Sequence, residues 1–173
     1  MRNGRLWAGL LGVEKTTVGR VELDEDRALL VAHVRPARGE RRRCGLCRRR
    51  CPGYDQGQGR RRWRALDLGV VVAVLEADAP RVRCAEHGVI VAAVPWARHG
   101  SRFTTAFEDT CAWLACHAAL SVLAILLRVT WRSVAGIVVR VVAEAAGRRD
   151  RLAGLRRVGI DEISYRRGQR YLP

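Results

Sequence analysis

The sequence predicts an α+β chain built of successive modules: a β-rich metal-binding half, a helical unit, and the first hairpin of a further domain. Three observations predict this. Two cysteine-containing ligand pairs lie among strand-like segments in residues 1–100. Apolar residues then recur every three to four positions through residues 101–147. A charged, glycine-containing stretch at 148–157 leads into a short strand-turn-strand pattern at 158–173.

Within residues 1–100, the segments 17–23 and 28–34 flank Asp24, Glu25 and Asp26 and predict a hairpin. The segments 67–77 and 81–84 flank Asp78, Ala79 and Pro80 and predict a second one. Phe103, Phe107, Cys111, Leu114 and Ala118 mark one face of a helix. Ser121 starts a second short helix, with Val122, Ile125 and Leu126 expected inward. Thr130 suits the N-cap of a third helix, with Val134, Ile137, Val138 and Val141 on one face, although its β-branched residues and Gly136 leave a strand as an alternative. In the last segment Val158, Gly159 and Ile160 lead to Asp161 and Glu162, a turn at residues 167–169 and a strand through Tyr171.

The net charge of +15 favours a polyanionic partner, for which nucleic acid is the default. Lys15 is the single lysine among 32 basic residues, a bias that a GC-rich genome also produces, so clustering is more informative than the total. Residues 35–64 hold 12 arginines against Glu40 and Asp55. Arg48, Arg49, Arg50, Arg60, Arg61 and Arg62 are therefore candidate phosphate contacts. No signal peptide stands out, since the apolar run at residues 6–13 is broken by glycine and has no small-residue cleavage site. The uncharged stretch 111–127 is at the short edge for a membrane span and reads better as two packed helices, so no membrane role is expected. The six cysteines are then expected in a reducing cytoplasm, where paired cysteines more often bind metal than form disulfides.

Cys44 and Cys47 form a C-x2-C pair, and Cys84 and His87 form a C-x2-H pair. Together they make a Cys3His set suited to tetrahedral Zn2+, with thiolates two residues apart able to reach one ion at roughly 2.3 Å. Closing the 36-residue gap between the pairs costs only logarithmically more than closing a short one. Structural zinc returns on the order of 10 kcal/mol. A closed four-ligand site of this kind is structural, with no open position for chemistry. Cys51 is read as a bystander, with ligation in place of Cys47 or His87 as the alternative. Cys111 and Cys116 are read as small packed residues, and His33, His99 and His117 as structural.

The second and third predicted helices have helix-turn-helix proportions. That geometry brings the start of the second of them to the bases, here Trp131, Arg132 and Ser133, with Arg140 further along. Arg132 suits a guanine edge, Ser133 a phosphate, and Arg128 in the turn the DNA backbone. An ordinary helical hairpin is the plain alternative.

In this order the motifs resemble the N-terminal portion of the ISL3-family insertion-sequence transposases (the IS204/IS1001/IS1096/IS1165 group). The resemblance rests on the zinc pairs with residues 51–54 and 62–67, on Val94-Pro95-Trp96-Ala97-Arg98, on the helix-turn-helix, and on Gly159-Ile160-Asp161-Glu162-Ile163-Ser164-Tyr165. It covers most of the chain after the first thirty residues or so. It implies double-stranded DNA as partner, at the terminal inverted repeats of a transposon, and residues 158–173 as the start of an RNase H-like (DDE) catalytic domain. Asp161 matches the first catalytic carboxylate, which holds Mg2+ in the complete enzyme. The other two acids are expected beyond Pro173, so this chain is expected to bind DNA without catalysing strand transfer. The alternative is a zinc-dependent helix-turn-helix regulator or repressor, with the C-terminal hairpin as a strand for homo-oligomer formation.

Overall fold

The computed structural model describes residues 3–148, 153–154, 156–157, 159, 163–166 and 170–172, with no side chains described at 148 or in the last two segments. The chain divides into two compact units, Met1–Val141 and Val142–Pro173.

The first unit opens with a short helix, α1 (Gly4–Leu10), followed by β1 (Thr16–Asp24) and β2 (Leu29–Pro36). β1 and β2 form the first expected hairpin, antiparallel from Thr16↔Pro36 to Asp24↔Leu29, with an irregularity between Val18 and Val21. β3 (Gly53–Asp55), β4 (Arg60–Arg64), β5 (Val72–Asp78), β6 (Arg81–Cys84) and β7 (Gly88–Val91) follow. One sheet has the order β1-β2-β5-β4, and a second has β3-β6-β7.

The second expected hairpin does not form. β5 pairs with β2 in parallel and with β4 antiparallel, whereas β6 pairs with β3 and β7. Asp78, Ala79 and Pro80 do mark a change of direction, but there the chain leaves one sheet for the other. Turn chemistry is local; the choice of strand partner is not.

Period-2 alternation splits the four-stranded sheet into two faces. Leu30, Ala32 and Val34 of β2, Ala73, Leu75 and Ala77 of β5 and Trp63 of β4 are buried in one core with Leu11 and Val13. The small alanines leave room for Trp63 and Trp96, which meet edge to face at 5.5 Å. On the other face Glu76 is flanked by His33 and Arg62 on the neighbouring strands. Its carboxylate accepts from Arg60 at 2.9 Å and Arg62 at 2.8 Å and lies 3.4 Å from His33, opposite charges being favourable cross-strand neighbours.

Residues 101–104 then run along β4, with Arg64 N–H donating to the Arg102 carbonyl and Thr104 N–H to the Arg64 carbonyl. Three helices follow: α2 (Thr105–Leu114), α3 (Leu120–Leu126) and α4 (Trp131–Arg148). Thr104 caps α2 by accepting from Phe107 N–H. Phe107, Cys111, Leu123, Leu127, Val134 and Ile137 form the helical core. The third segment is a helix rather than a strand, and Thr130 Oγ1 accepts from Ser133 N–H at its start. The inward face of α3 differs from expectation: Leu123 and Leu127 are buried, whereas Val122, Leu126 and Ile125 (80% exposed) face outward. Among the described residues no single helix is long and apolar enough to cross a membrane.

In the second unit, β8 (Ile163–Arg166) and β9 (Arg170–Leu172) pair antiparallel, with Ile163 opposite Leu172. Asp161, Glu162 and the expected turn at 167–169 lie outside the described residues.

Candidate metal centre and nucleic-acid interface

The β6–β7 hairpin is closed by the residues between Cys84 and Gly88, so its turn carries the second ligand pair. The first pair sits on a turn in which Arg48 N–H returns to the Cys44 carbonyl, and Cys44 bridges to Ala92 beyond β7. The two turns converge. One ligand atom from each of Cys44, Cys47, Cys84 and His87 lies within 4.8 Å of all the others.

The distances fit a metal better than bare thiol contacts. With Zn–S near 2.3 Å and Zn–N near 2.0–2.1 Å, a regular tetrahedron has S···S edges of about 3.8 Å and S···N edges of about 3.6 Å. Cys47 Sγ lies 3.7 Å from Cys84 Sγ, and His87 Nδ1 lies 3.7 Å from Cys44 Sγ and 3.6 Å from Cys84 Sγ. The hydrogen bond from His87, helped by the backbone N–H groups of Glu86 and His87, lowers the Cys84 thiol to about 6. Cys84 is thus largely thiolate at neutral pH, the form that binds metal. Leu46 N–H points at Cys44 Sγ from 3.5 Å, the sort of donor that steadies a ligating sulfur. Cys51 is buried beside the cluster but outside the four-atom set, with its thiol directed at the Arg49 carbonyl at 3.4 Å. The donor set and its geometry therefore suit structural zinc.

His99 is no ligand; it packs on the first turn. A Cβ at Gly45 would meet His99 Nδ1 at 2.2 Å and the Val91 carbonyl at 2.7 Å, so only glycine fits. Burial first, then Arg61 and Arg48, hold the His99 imidazole below its usual range.

The helical unit has helix-turn-helix geometry. Residues 127–130 separate α3 from α4, and the chain direction changes by 108° between Leu120–Leu126 and Trp131–Gly147. Arg128, in the turn, adopts a left-handed φ of 53°. Its guanidinium is committed within the protein: two of its N–H groups converge on Asp67 Oδ2, Nε at 2.9 Å, and it also donates to the Val70 carbonyl at 3.2 Å. Arg64 holds the other Asp67 oxygen. Asp67 thus fastens the turn to the four-stranded sheet, and the expected backbone contact by Arg128 competes with that role.

Arg140 is likewise engaged, 3.3 Å from Glu108. Glu108 has 0% exposure and also accepts from Arg98 at 3.1 Å and Ser101 Oγ at 2.7 Å. One buried carboxylate therefore ties α2, α4 and the segment before α2 together. Trp131 and Arg132 stay exposed at the start of α4, with the Arg132 guanidinium 5.5 Å from the Trp131 ring centre. Ser133 Oγ lies 2.9 Å from Thr130 Oγ1. Among the other candidate arginines, Arg60 and Arg62 close on Glu76, Arg49 on Glu86, and Arg48 on the Val94 carbonyl. Arg61 lies over Trp63, and Arg50 is exposed. Sequence reasoning missed Asp67, Glu108 and Gly45. The close spacing of Arg64 and Asp67 was a local hint, whereas Glu108 looked like an ordinary surface acid of a first helical turn.

Fold and site together define a zinc ribbon joined to a helix-turn-helix, a combination of DNA-binding type. The zinc-finger of transposase IS204/IS1001/IS1096/IS1165 matches residues 40–87, and the helix-turn-helix domain of transposase family ISL3 matches residues 92–142. The chain belongs to the ISL3 transposases over these residues. It is 52% identical over 177 residues to the transposase for insertion sequence element IS1557 of Mycobacterium tuberculosis strain CDC 1551 / Oshkosh, and equally to that of strain H37Rv. These matches cover 99% of this chain and 40% of each relative's length. No solved structure matches the chain significantly.

Proposed function

We propose that the chain recognises double-stranded DNA at the terminal inverted repeats of an insertion element. The observation that carries this reading is the start of α4. Trp131 and Arg132 are exposed there, on a helix whose turn and flank are fixed to the β-sheet region through Asp67 and Glu108. Arg132 reads a base edge; Ser133 and Arg50 contact phosphates. Arg128 and Arg140 act chiefly by positioning, since both already hold carboxylates. Zn2+ on Cys44, Cys47, Cys84 and His87 supplies a structural cross-link, and the protein does the recognition.

The domain assignment belongs to the same proposal: residues 1–100 as zinc-binding module, 101–147 as DNA-binding region, 148–157 as linker, and 158–173 as the start of an RNase H-like domain. In a protein of the relatives' full length, Asp161 would help hold Mg2+, which supplies Lewis-acid chemistry for phosphodiester strand transfer. Asp161 lies outside the described residues, so no step is derived through it.

The test is a salt-titrated anisotropy measurement of the zinc-loaded chain on inverted-repeat and scrambled duplexes. Preference for the repeat is expected. Arg132→Ala is expected to weaken repeat binding by about 5- to 150-fold with little change in Tm, the range for one bidentate base contact. Arg128→Ala is expected to lower Tm as well. Equal, steeply salt-dependent binding of both duplexes would reduce the charge to a non-specific footprint. Chains per duplex in the same titration report any homo-oligomer.

A further inference from the structure

Several arginines of the first unit close on no carboxylate among the described residues, and some of these meet in one cleft. Arg35 and Arg42 close on no carboxylate among the described residues and share that cleft with Tyr54, and Arg83, also without a carboxylate, lies over the Tyr54 ring. Arg35 and Arg42 line a cleft of about 510 Å³ between the ends of β2 and β5 and the zinc sheet, with Tyr54 of β3 in its wall. That volume falls within the range for single-ligand clefts.

The wall is built around Tyr54. Tyr54 is 48% exposed, and the guanidiniums of Arg81 and Arg83 lie 5.4 Å and 5.2 Å from its ring centre. Arg42 has a left-handed φ of 56°, and its Nε would lie 3.7 Å from a Cβ at Gly53, so this side chain lies along the strand beside Tyr54. Two carboxylates also line the cleft. Asp55 is held by Arg81, whose hydrogen bonds keep its carboxyl below the usual range, and Asp78 is 3.8 Å from Arg60. Arg35, Arg41, Arg42 and Arg81 outnumber these two acids, so the cleft is net cationic.

A half-exposed aromatic ring with cations packed against it is a combination that binds unpaired nucleotides: the open part of the ring stacks a base of any identity and the cations take the phosphate. Bases paired in a duplex are already stacked and cannot reach a ring inside a cleft, whereas an unpaired one can. We propose that this cleft holds one unpaired DNA nucleotide, its base against Tyr54 and its phosphate on Arg42 and Arg35, next to duplex bound by the helix-turn-helix. This rests on the DNA-binding reading above, and the arms of the test separate the two.

Anisotropy of the zinc-loaded full chain would be compared on a blunt inverted-repeat duplex, the same duplex with a short single-stranded thymidine tail, and the thymidine oligonucleotide alone. The tail is expected to tighten binding about tenfold, within the range for one stacked base. Tyr54→Ala should abolish that gain and leave blunt-duplex binding unchanged, while Tyr54→Phe keeps it. Arg42→Gln should shrink the gain and reduce its salt slope by about one phosphate contact. No gain in the wild type, or a gain that survives Tyr54→Ala, overturns the proposal. Loss of repeat preference with Tyr54-dependent oligonucleotide binding intact would sink the helix-turn-helix reading and leave the cleft standing. If Tyr54→Ala fails to retain zinc, Tyr54→Phe with Arg35→Gln decides: the first must keep the gain and the second must lose part of it.

Discussion

Glu108→Ala is the most informative single change to the frame of this protein. The carboxylate is fully buried, and its main partner Arg98 is nearly so, with 16% side-chain exposure. Removing one member of such a pair leaves the other charge without its counter-ion in a poor solvent, typically about 3–5 kcal/mol. Arg98 has a second carboxylate, Asp109 at 2.7 Å, which offsets part of that loss. Arg140 is 36% exposed on its side chain, so its share is that of a surface pair, about 0–1 kcal/mol. A net loss of about 3 kcal/mol corresponds to a Tm drop of about 6–12 °C for a chain of this size. Thermal unfolding by circular dichroism with zinc held saturating is the assay. Glu108→Gln keeps the shape and the Ser101 contact and is expected to lose about half as much. In double-mutant cycles Arg98 should couple to Glu108 more strongly than Arg140 does. A Glu108→Ala protein melting within about 2 °C of wild type would mean that the buried carboxylate is not what joins α2 and α4 to the preceding segment.

Three further outcomes are expected. Purified chain should carry one zinc per molecule by elemental analysis; Cys44→Ser should lose it, whereas Cys51→Ser should retain it. Gly45→Ala should weaken zinc binding at least about tenfold in a competitive chelator titration, because the clash with the Val91 carbonyl is with backbone and persists even in a Gly45→Ala/His99→Ala double variant. Glu76 is held below the usual carboxylate value of 4.5, chiefly by its hydrogen bond from Arg62 against the opposing cost of burial. Its folded value is the lower one, so its stabilisation is fully present above the unfolded value and disappears as pH falls through the folded one. The Tm gap between wild type and Glu76→Gln should therefore close on acidification, and a gap that stays constant with pH would contradict the assignment.

Local signals in the sequence located the Cys3His cluster, the β1–β2 hairpin, the α2 stripe and the Thr130 cap. Each depends on residues close together in the chain or on a regular period. The misread features depend on distant partners. Nothing near Arg128 points to Asp67, sixty-one residues earlier, and nothing near β5 announces a parallel partner in β2. The α3 error has a different origin. Residues 120–127 are apolar at every position except Ser121, so the pattern has no polar side to fix its rotation. The helix turns Leu123 and Leu127 inward because those two pack with Phe107, Val134 and Ile137. Val122, Ile125 and Leu126 are left outside as the remainder of that choice.

The helix-turn-helix is held from two sides, and only one of them depends on metal. Asp67 fastens its turn to the four-stranded sheet, whose core of Leu30, Leu75 and Trp63 contains no zinc ligand. The other hold runs through residues 92–101. Ala93 N–H donates to the Arg43 carbonyl, Arg48 reaches the Val94 carbonyl, and His99 sits against Gly45, so the first zinc turn shapes this stretch. The same stretch then supplies Arg98 and Ser101 to Glu108. Metal loss should therefore leave the Asp67 fastening in place while loosening the surroundings of Glu108, weakening DNA binding without unfolding α4. On the DNA-binding reading proposed above, zinc would then act on DNA through the placement of one buried carboxylate.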